Sequence, residues 1–141
     1  MSIQVLLDAP QTPARKACIR SIQLASEGRG AEWLELFAEN AVVQDPYGPS
    51  PFDPSGKGHM GKAAIKKFCA DHIRPGAIRF QIRQTAGGGN ACVCVGTITT
   101  KAPDGKVAWC EVFNLYEVDE SGKITLLRSY WDFEAMTKTV F

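Results

Sequence analysis

An excess of charge of either sign is missing from this chain. Its 141 residues carry 16 lysines and arginines against 15 aspartates and glutamates, a net charge of +1. Such a balance gives no electrostatic pull toward nucleic acid or an acidic membrane surface. A neutral, apolar small molecule is the expected partner. Long hydrophobic runs are missing too: nothing approaches the roughly 18 consecutive apolar residues of a membrane-spanning helix. The opening stretch MSIQVLLDAPQTPARKA has a short apolar run broken by Asp8 and Pro10. It lacks the basic start and long apolar middle of a secretion signal, so the expected location is cytoplasmic. Histidine is scarce, with only two, and the five cysteines (Cys18, Cys69, Cys92, Cys94 and Cys110) include no Cys-x-x-Cys pair. No metal centre is expected from that spacing. An odd cysteine count without a secretion signal reads as free thiols rather than a disulfide framework. GKGHMGK lacks the order of a phosphate loop and TAGGGN that of a dinucleotide turn, so no cofactor is expected.

What is present is the makeup of a globular protein, 45% hydrophobic and 22% charged. The length fits one domain over residues 1–141, with 1–11 a flexible N-terminus. TPARKACIRSIQLASEGRG reads as a helix: Thr12 can cap it, Pro13 suits its first turn and Gly28 can end it. Ala14, Cys18, Ser21 and Ala25 make a narrow face of small residues along it. GAEWLELFAEN reads as a second helix, with Trp33, Leu34 and Phe37 toward the core. AVVQD reads as a short strand whose alternation puts Ala41, Val43 and Asp45 on one face. Residues 46–60, rich in proline and glycine, read as a long loop, a length more often functional than connecting. MGKAAIKKFCADHIRPG reads as a third helix with Ile65, Phe68, Cys69 and His72 along its apolar stripe. Four alternating segments follow, AIRFQIRQT, ACVCVGTITT, KVAWCEVFNLYEV and KITLLRSYWDF. The turns AGGGN, APDG and DESG separate them. EAMTKTVF reads as a tail. The order predicts an α+β fold: a cone-shaped, curved antiparallel β-sheet with about three helices on its concave face, enclosing a cavity.

Asp45 leads the candidates for chemistry. A carboxylate on an inner strand face has apolar neighbours that raise its pKa, which suits a general base; the alternative is a turn residue bonded to backbone amides. Asn114 is second. It shares a strand face with Ala108, Cys110, Val112 and Tyr116, while Trp109, Glu111, Phe113 and Leu115 share the other. A buried amide needs partners and can donate to a ligand oxygen. In RSYWDF, Tyr130 and Asp132 share one face and Trp131 the other. His72 reads as a core histidine and His59 as a solvent-exposed loop residue.

At LFAENAVVQDPYG the sequence resembles the ketosteroid isomerase-like branch of the NTF2-like (SnoaL-like) superfamily. The shared pattern is a helix ending in Leu-Phe-Ala, an Ala-x-Val-x-Asp-Pro strand, a loop, and then Gly61, Ala64 and Ile65 at the next helix. The resemblance covers roughly residues 13–135. It implies an Asp general base at Asp45 and, at Asn114, an amide where the family has an oxyanion-binding Asp. It places Ser21 where the family has a first-helix Tyr, leaving Tyr47, Tyr116 or Tyr130 to stand in from another wall. The implied activity is intramolecular proton transfer next to a ketone on a steroid-like or other apolar cyclic molecule. Asp45 and Asn114 are the catalytic candidates. Ser21, Tyr47, Phe68, Tyr116, Tyr130, Trp131 and Asp132 are the substrate-binding ones. The alternatives are a non-catalytic ligand-binding or dimerisation module, and a cyclase or hydrolase in which Asp45 and Asp132 activate water. A homodimer through the sheet, with Trp109, Phe113 and Leu115 at its surface, is also implied.

Overall fold

Thr12 opens the first helix, α1 (Pro13–Ser26): its side chain accepts from the Arg15 backbone N–H, and Pro13 occupies the first turn. The computed structural model describes residues 9–138. Most of the segment expected to be flexible, 1–8, thus lies outside the described residues, as does the end of the expected tail, 139–141. The buried Arg15 side chain donates to the Pro10 carbonyl and to the Thr85 hydroxyl, joining the entry of α1 to the sheet.

The elements that follow α1 are α2 (Gly30–Glu35), β1 (Phe37–Gln44), β2 (His59–Met60), α3 (Lys62–His72), β3 (Ile78–Gly88), β4 (Ala91–Lys101), β5 (Val107–Val118), β6 (Ile124–Tyr130) and α4 (Phe133–Lys138). They form one six-stranded sheet in the order β2-β1-β6-β5-β4-β3. With helices packed against it, this is the expected α+β arrangement, with four local corrections.

The sheet is mixed. β1 runs parallel to β6, whereas the other neighbours pair antiparallel. The sequence's turn residues set the direction only of strands joined by hairpins, and β1 reaches β6 from across the chain with no turn to constrain it. The second correction is the end of α2. The helical reading carried through Asn40, but the chain is already a strand at Phe37. The Ile124 amide of β6 bonds the Leu36 carbonyl at 2.8 Å, so a distant strand overrides a locally helical pattern. Third, the loop is shorter than expected, because His59 and Met60 pair with Val43 and Val42. The residues read as a tail, in turn, begin a fourth helix.

Curvature comes from irregularities in three of the strand pairings, between Phe37 and Val42, Ile82 and Gln84, and Glu117 and Val118. Gly96 marks a close approach of β4 to β3. A Cβ there would stand 2.2 Å from the Gln81 carbonyl oxygen and 2.7 Å from the Phe80 ring. The concave face is covered by α1 against β3, β4 and β5 and by α3 against β1, with α2 between the two helices. Phe37, Leu24, Ile65, Val43 and Ile124 are fully enclosed there. The small-residue face of α1 meets the sheet: Cys18 lies in thiol contact with Cys92 and Cys94, and all five cysteines are free. Among the described residues no helix is long and apolar enough to cross a membrane.

Candidate active site

Between the sheet and the helices lies a cavity of about 400 Å³, within the size range of small-molecule sites. Its walls are mostly apolar, with Ile22, Trp33, Phe68, Phe80, Val112 and Leu127 among them. The polar groups come from Ser21 of α1, Asp45 just after β1, His72 of α3 and Arg74 after it, Thr100 and Lys101 of β4, Asn114 and Tyr116 of β5, Ser129 of β6, and Trp131 after it.

Asp45 is delivered by strand alternation. Ala41 and Val43 are completely buried on one face of β1, and the same face continues to Asp45 at the cavity. The Trp131 indole N–H donates to Asp45 Oδ1 at 2.7 Å. The Tyr47 amide bonds the Ser129 carbonyl at 2.8 Å, fixing the chain just past Asp45 to the end of β6. Burial pushes the Asp45 carboxyl above its ordinary range. The hydrogen bond from Trp131, the nearby histidines His72 and His59, and the Ser129 hydroxyl offset part of that.

Asn114 is buried, and its Oδ1 accepts from the Ser129 hydroxyl at 2.5 Å. That leaves both Nδ2 protons without an acceptor among the described residues, on a residue that lines the cavity. Two residues along the same face, the Tyr116 hydroxyl lies 2.9 Å from Ser21 Oγ, which also accepts from the Trp33 indole N–H at 3.0 Å. Burial holds the Tyr116 phenol well above its ordinary pKa, so it is a neutral hydroxyl.

The segment 46–58 covers one side of the cavity. The Asp53 carboxylate gathers it by accepting from Ser55 Oγ and from the Gly58 amide, both at 2.7 Å. Phe52 projects from it against His72, Trp131 and Phe133, with ring centroids at 4.7, 6.4 and 5.4 Å.

The family model for the SnoaL-like domain matches residues 19–127. The chain belongs to this family. Among solved structures, this SnoaL-like domain is similar to the Δ5-3-ketosteroid isomerase from Mycobacterium sp., with 32% identity and a TM-score of 0.85 over 92% of this chain and 99% of that one. It is also similar to RV0760c from Mycobacterium tuberculosis in complex with estradiol-17β-hemisuccinate: 25% identity, TM-score 0.81, 93% of this chain and 99% of that one. The epoxide hydrolase/cyclase-like enzyme SalBIII, of pyran ring formation in salinomycin, shares the fold at 16% identity and a TM-score of 0.72, over 90% of this chain and 93% of that one.

Of the residues singled out in the sequence, Asp45, Asn114, Ser21, Phe68, Tyr116 and Trp131 line the same cavity of this SnoaL-like domain. Tyr47, Tyr130 and Asp132 do not. They border a second depression on the other side of the sheet, with Trp109, Glu111 and Phe113. Tyr47 and Tyr130 are about half exposed and stack on each other at 5.5 Å, with Arg128 over the Tyr47 ring. Alternation along β6 accounts for Tyr130: Leu127 and Ser129 line the cavity, so Tyr130 points away, while Asp132 lies past the end of the strand, just before α4. The cavity thus has Asp45 in its lining without Asp132.

Two histidines lie elsewhere than the sequence pattern suggests. His72 lines the cavity instead of filling the core, with its ring against Phe68 and Phe52, and burial lowers its pKa. His59 is half-buried, stacks on Phe68 at 4.9 Å, and its Nε2 is enclosed without a hydrogen-bond partner. The only sequence signal for His72 was its place on the α3 stripe beside Phe68, which fits a packing residue equally well. Among the described residues no cluster of three or more His, Cys, Asp or Glu could hold a metal ion.

Proposed function

We propose that this protein catalyses intramolecular proton transfer next to a ketone on a steroid-like or other apolar cyclic molecule. The observation that carries the reading is a raised-pKa carboxylate, Asp45, facing an apolar cavity in which Asn114 offers unused amide protons. Asp45 as base removes a proton from the carbon beside the carbonyl. The electron pair of that C–H bond becomes the new C=C bond, and the carbonyl π electrons move to oxygen. Asn114 Nδ2 donates to that oxygen as charge builds on it. Collapse of the dienolate returns the Asp45 proton to a different carbon, so the substrate's atoms balance and no co-reactant is consumed. Trp131 holds the carboxylate in place through its indole bond, and the apolar walls exclude the water that would otherwise solvate the base. The steroid named with RV0760c and the isomerase among the similar structures support the substrate class.

The test is turnover of 5-androstene-3,17-dione, followed as the rise in conjugated-enone absorbance, for wild type beside Asp45→Asn. Turnover that disappears in the variant supports the reading, and turnover that persists removes Asp45 as the base. No wild-type turnover, with saturable steroid binding, would make the protein a non-catalytic ligand carrier.

The outer sheet face presents Val93, Trp109 and Phe113, each 41–52% exposed. As part of the same proposal, this face joins two copies into a homodimer.

A further inference from the structure

The hydroxyl protons around Ser21 do not add up within the protein. Trp33 Nε1–H is a donor only, and it points at Ser21 Oγ. Ser21 Oγ and the Tyr116 hydroxyl face each other at 2.9 Å, and either could donate. Three protons thus serve two links. Ser21 and Tyr116 are 1% and 2% exposed, and neither has another hydrogen-bond partner among the described residues. One proton is left over in a closed site, and a buried donor without an acceptor is unfavourable. Both hydroxyls line the cavity, so the acceptor that completes the set comes from what occupies it.

We infer that Tyr116 is the second oxyanion donor of this site, taking the last place in a relay Trp33→Ser21→Tyr116→ligand oxygen. The inference rests on the proton-transfer reading above and names the donor that works beside Asn114. Running the relay in this sense satisfies Trp33 and Ser21 inside the protein and leaves the free proton on the cavity-facing phenol. Each bond polarises the next, strengthening the terminal donor. Tyr116 and Asn114 are two residues apart on the inner face of β5, so one strand presents two donors to the same oxygen. Burial keeps the phenol protonated and able to donate. Ser21, engaged by both the Trp33 indole and the Tyr116 hydroxyl, becomes a positioning residue for the tyrosine.

The experiment pairs kinetics with binding. The kcat and KM for 5-androstene-3,17-dione are measured for wild type, Tyr116→Phe and Ser21→Ala. The affinities of equilenin and of its 3-deoxy analogue are measured by fluorescence on the same proteins. Tyr116→Phe should lower kcat by about 10²–10³-fold with little change in KM, as loss of one oxyanion donor does. It should weaken equilenin by about 10- to 100-fold, as loss of a hydrogen bond to a charged oxygen does, and leave the 3-deoxy steroid unchanged. Ser21→Ala should shift the same quantities in the same direction by a smaller factor. If Tyr116→Phe does not fold, 3-fluorotyrosine at 116 keeps the shape and sharpens the donor, and tighter equilenin binding is expected. Kinetics and equilenin affinity unaffected by either change at 116, or equal loss of both steroids, overturns the inference. Turnover that needs Asp45 but not Tyr116 rejects the relay and keeps the isomerase. Equilenin binding that needs Tyr116 in a protein with no turnover rejects the isomerase and keeps the relay.

Discussion

The two faces of β5 differ completely although they belong to one strand. Inward, Cys110, Val112, Asn114 and Tyr116 are buried against the helices and line or flank the cavity. Outward, Trp109, Glu111 and Phe113 are exposed, with Glu111 held by Arg83 and the Thr97 hydroxyl. Polar groups mean different things on the two sides. Outside, a charged pair remains in water and contributes little. Inside, each amide or hydroxyl must find a partner, and the protons left over at Asn114 and Tyr116 are the ones the proposals above assign to a ligand oxygen.

That contrast can be broken deliberately. The largest effect is expected at the base: Asp45→Asn should reduce kcat about 10²–10⁴-fold, the range of a lost general base. Next comes the inner face of β5. Asn114→Ala should lower kcat by about 10²-fold, read in the enone assay, while the substitution of its outward neighbour, Phe113→Ala, leaves kcat unchanged.

A pH series sharpens the comparison further. Asp45 must be ionised to act, and burial raises its pKa. Turnover should therefore fall as pH drops through a value above the ordinary carboxylate range. Stability runs the other way. With the folded-state pKa above the unfolded one, the folded state holds the proton more tightly. Stability is then highest below the unfolded pKa and declines as pH rises through the folded one. Asp45→Asn should remove that decline and raise Tm near pH 7 by about 2–6 °C, with the gain fading in acid, as calorimetry would show. The smallest effect belongs outside. Phe113→Asp should change monomer stability by only about 0.5 kcal/mol, and sedimentation should show fewer dimers.

Some of this was legible because side-chain period is a local property. Alternation alone separated Asn114 and Tyr116 from Trp109 and Phe113, and put Asp45 with Ala41 and Val43. The turns DESG and APDG marked hairpins whose directions follow from their lengths. The end of α2 was not legible, because the Ile124 amide that captures Leu36 lies 88 residues away. Nor was the side chosen by RSYWDF. Alternation set Trp131 against Tyr130 and Asp132, but only the bond to Asp45 decides which side is the cavity.

The sequence by itself determined the class of fold, which residues share a face along each long strand and the carboxylate at the end of β1, because apolar periodicity and turn chemistry act between near neighbours. Tertiary structure alone decided the parallel β1–β6 pairing, the place of His72 beside the cavity and the contact of Ser21 with Tyr116. Those depend on groups far apart in the chain meeting in one enclosed space, where a hydroxyl that water would have satisfied must bond to whatever the fold has placed beside it.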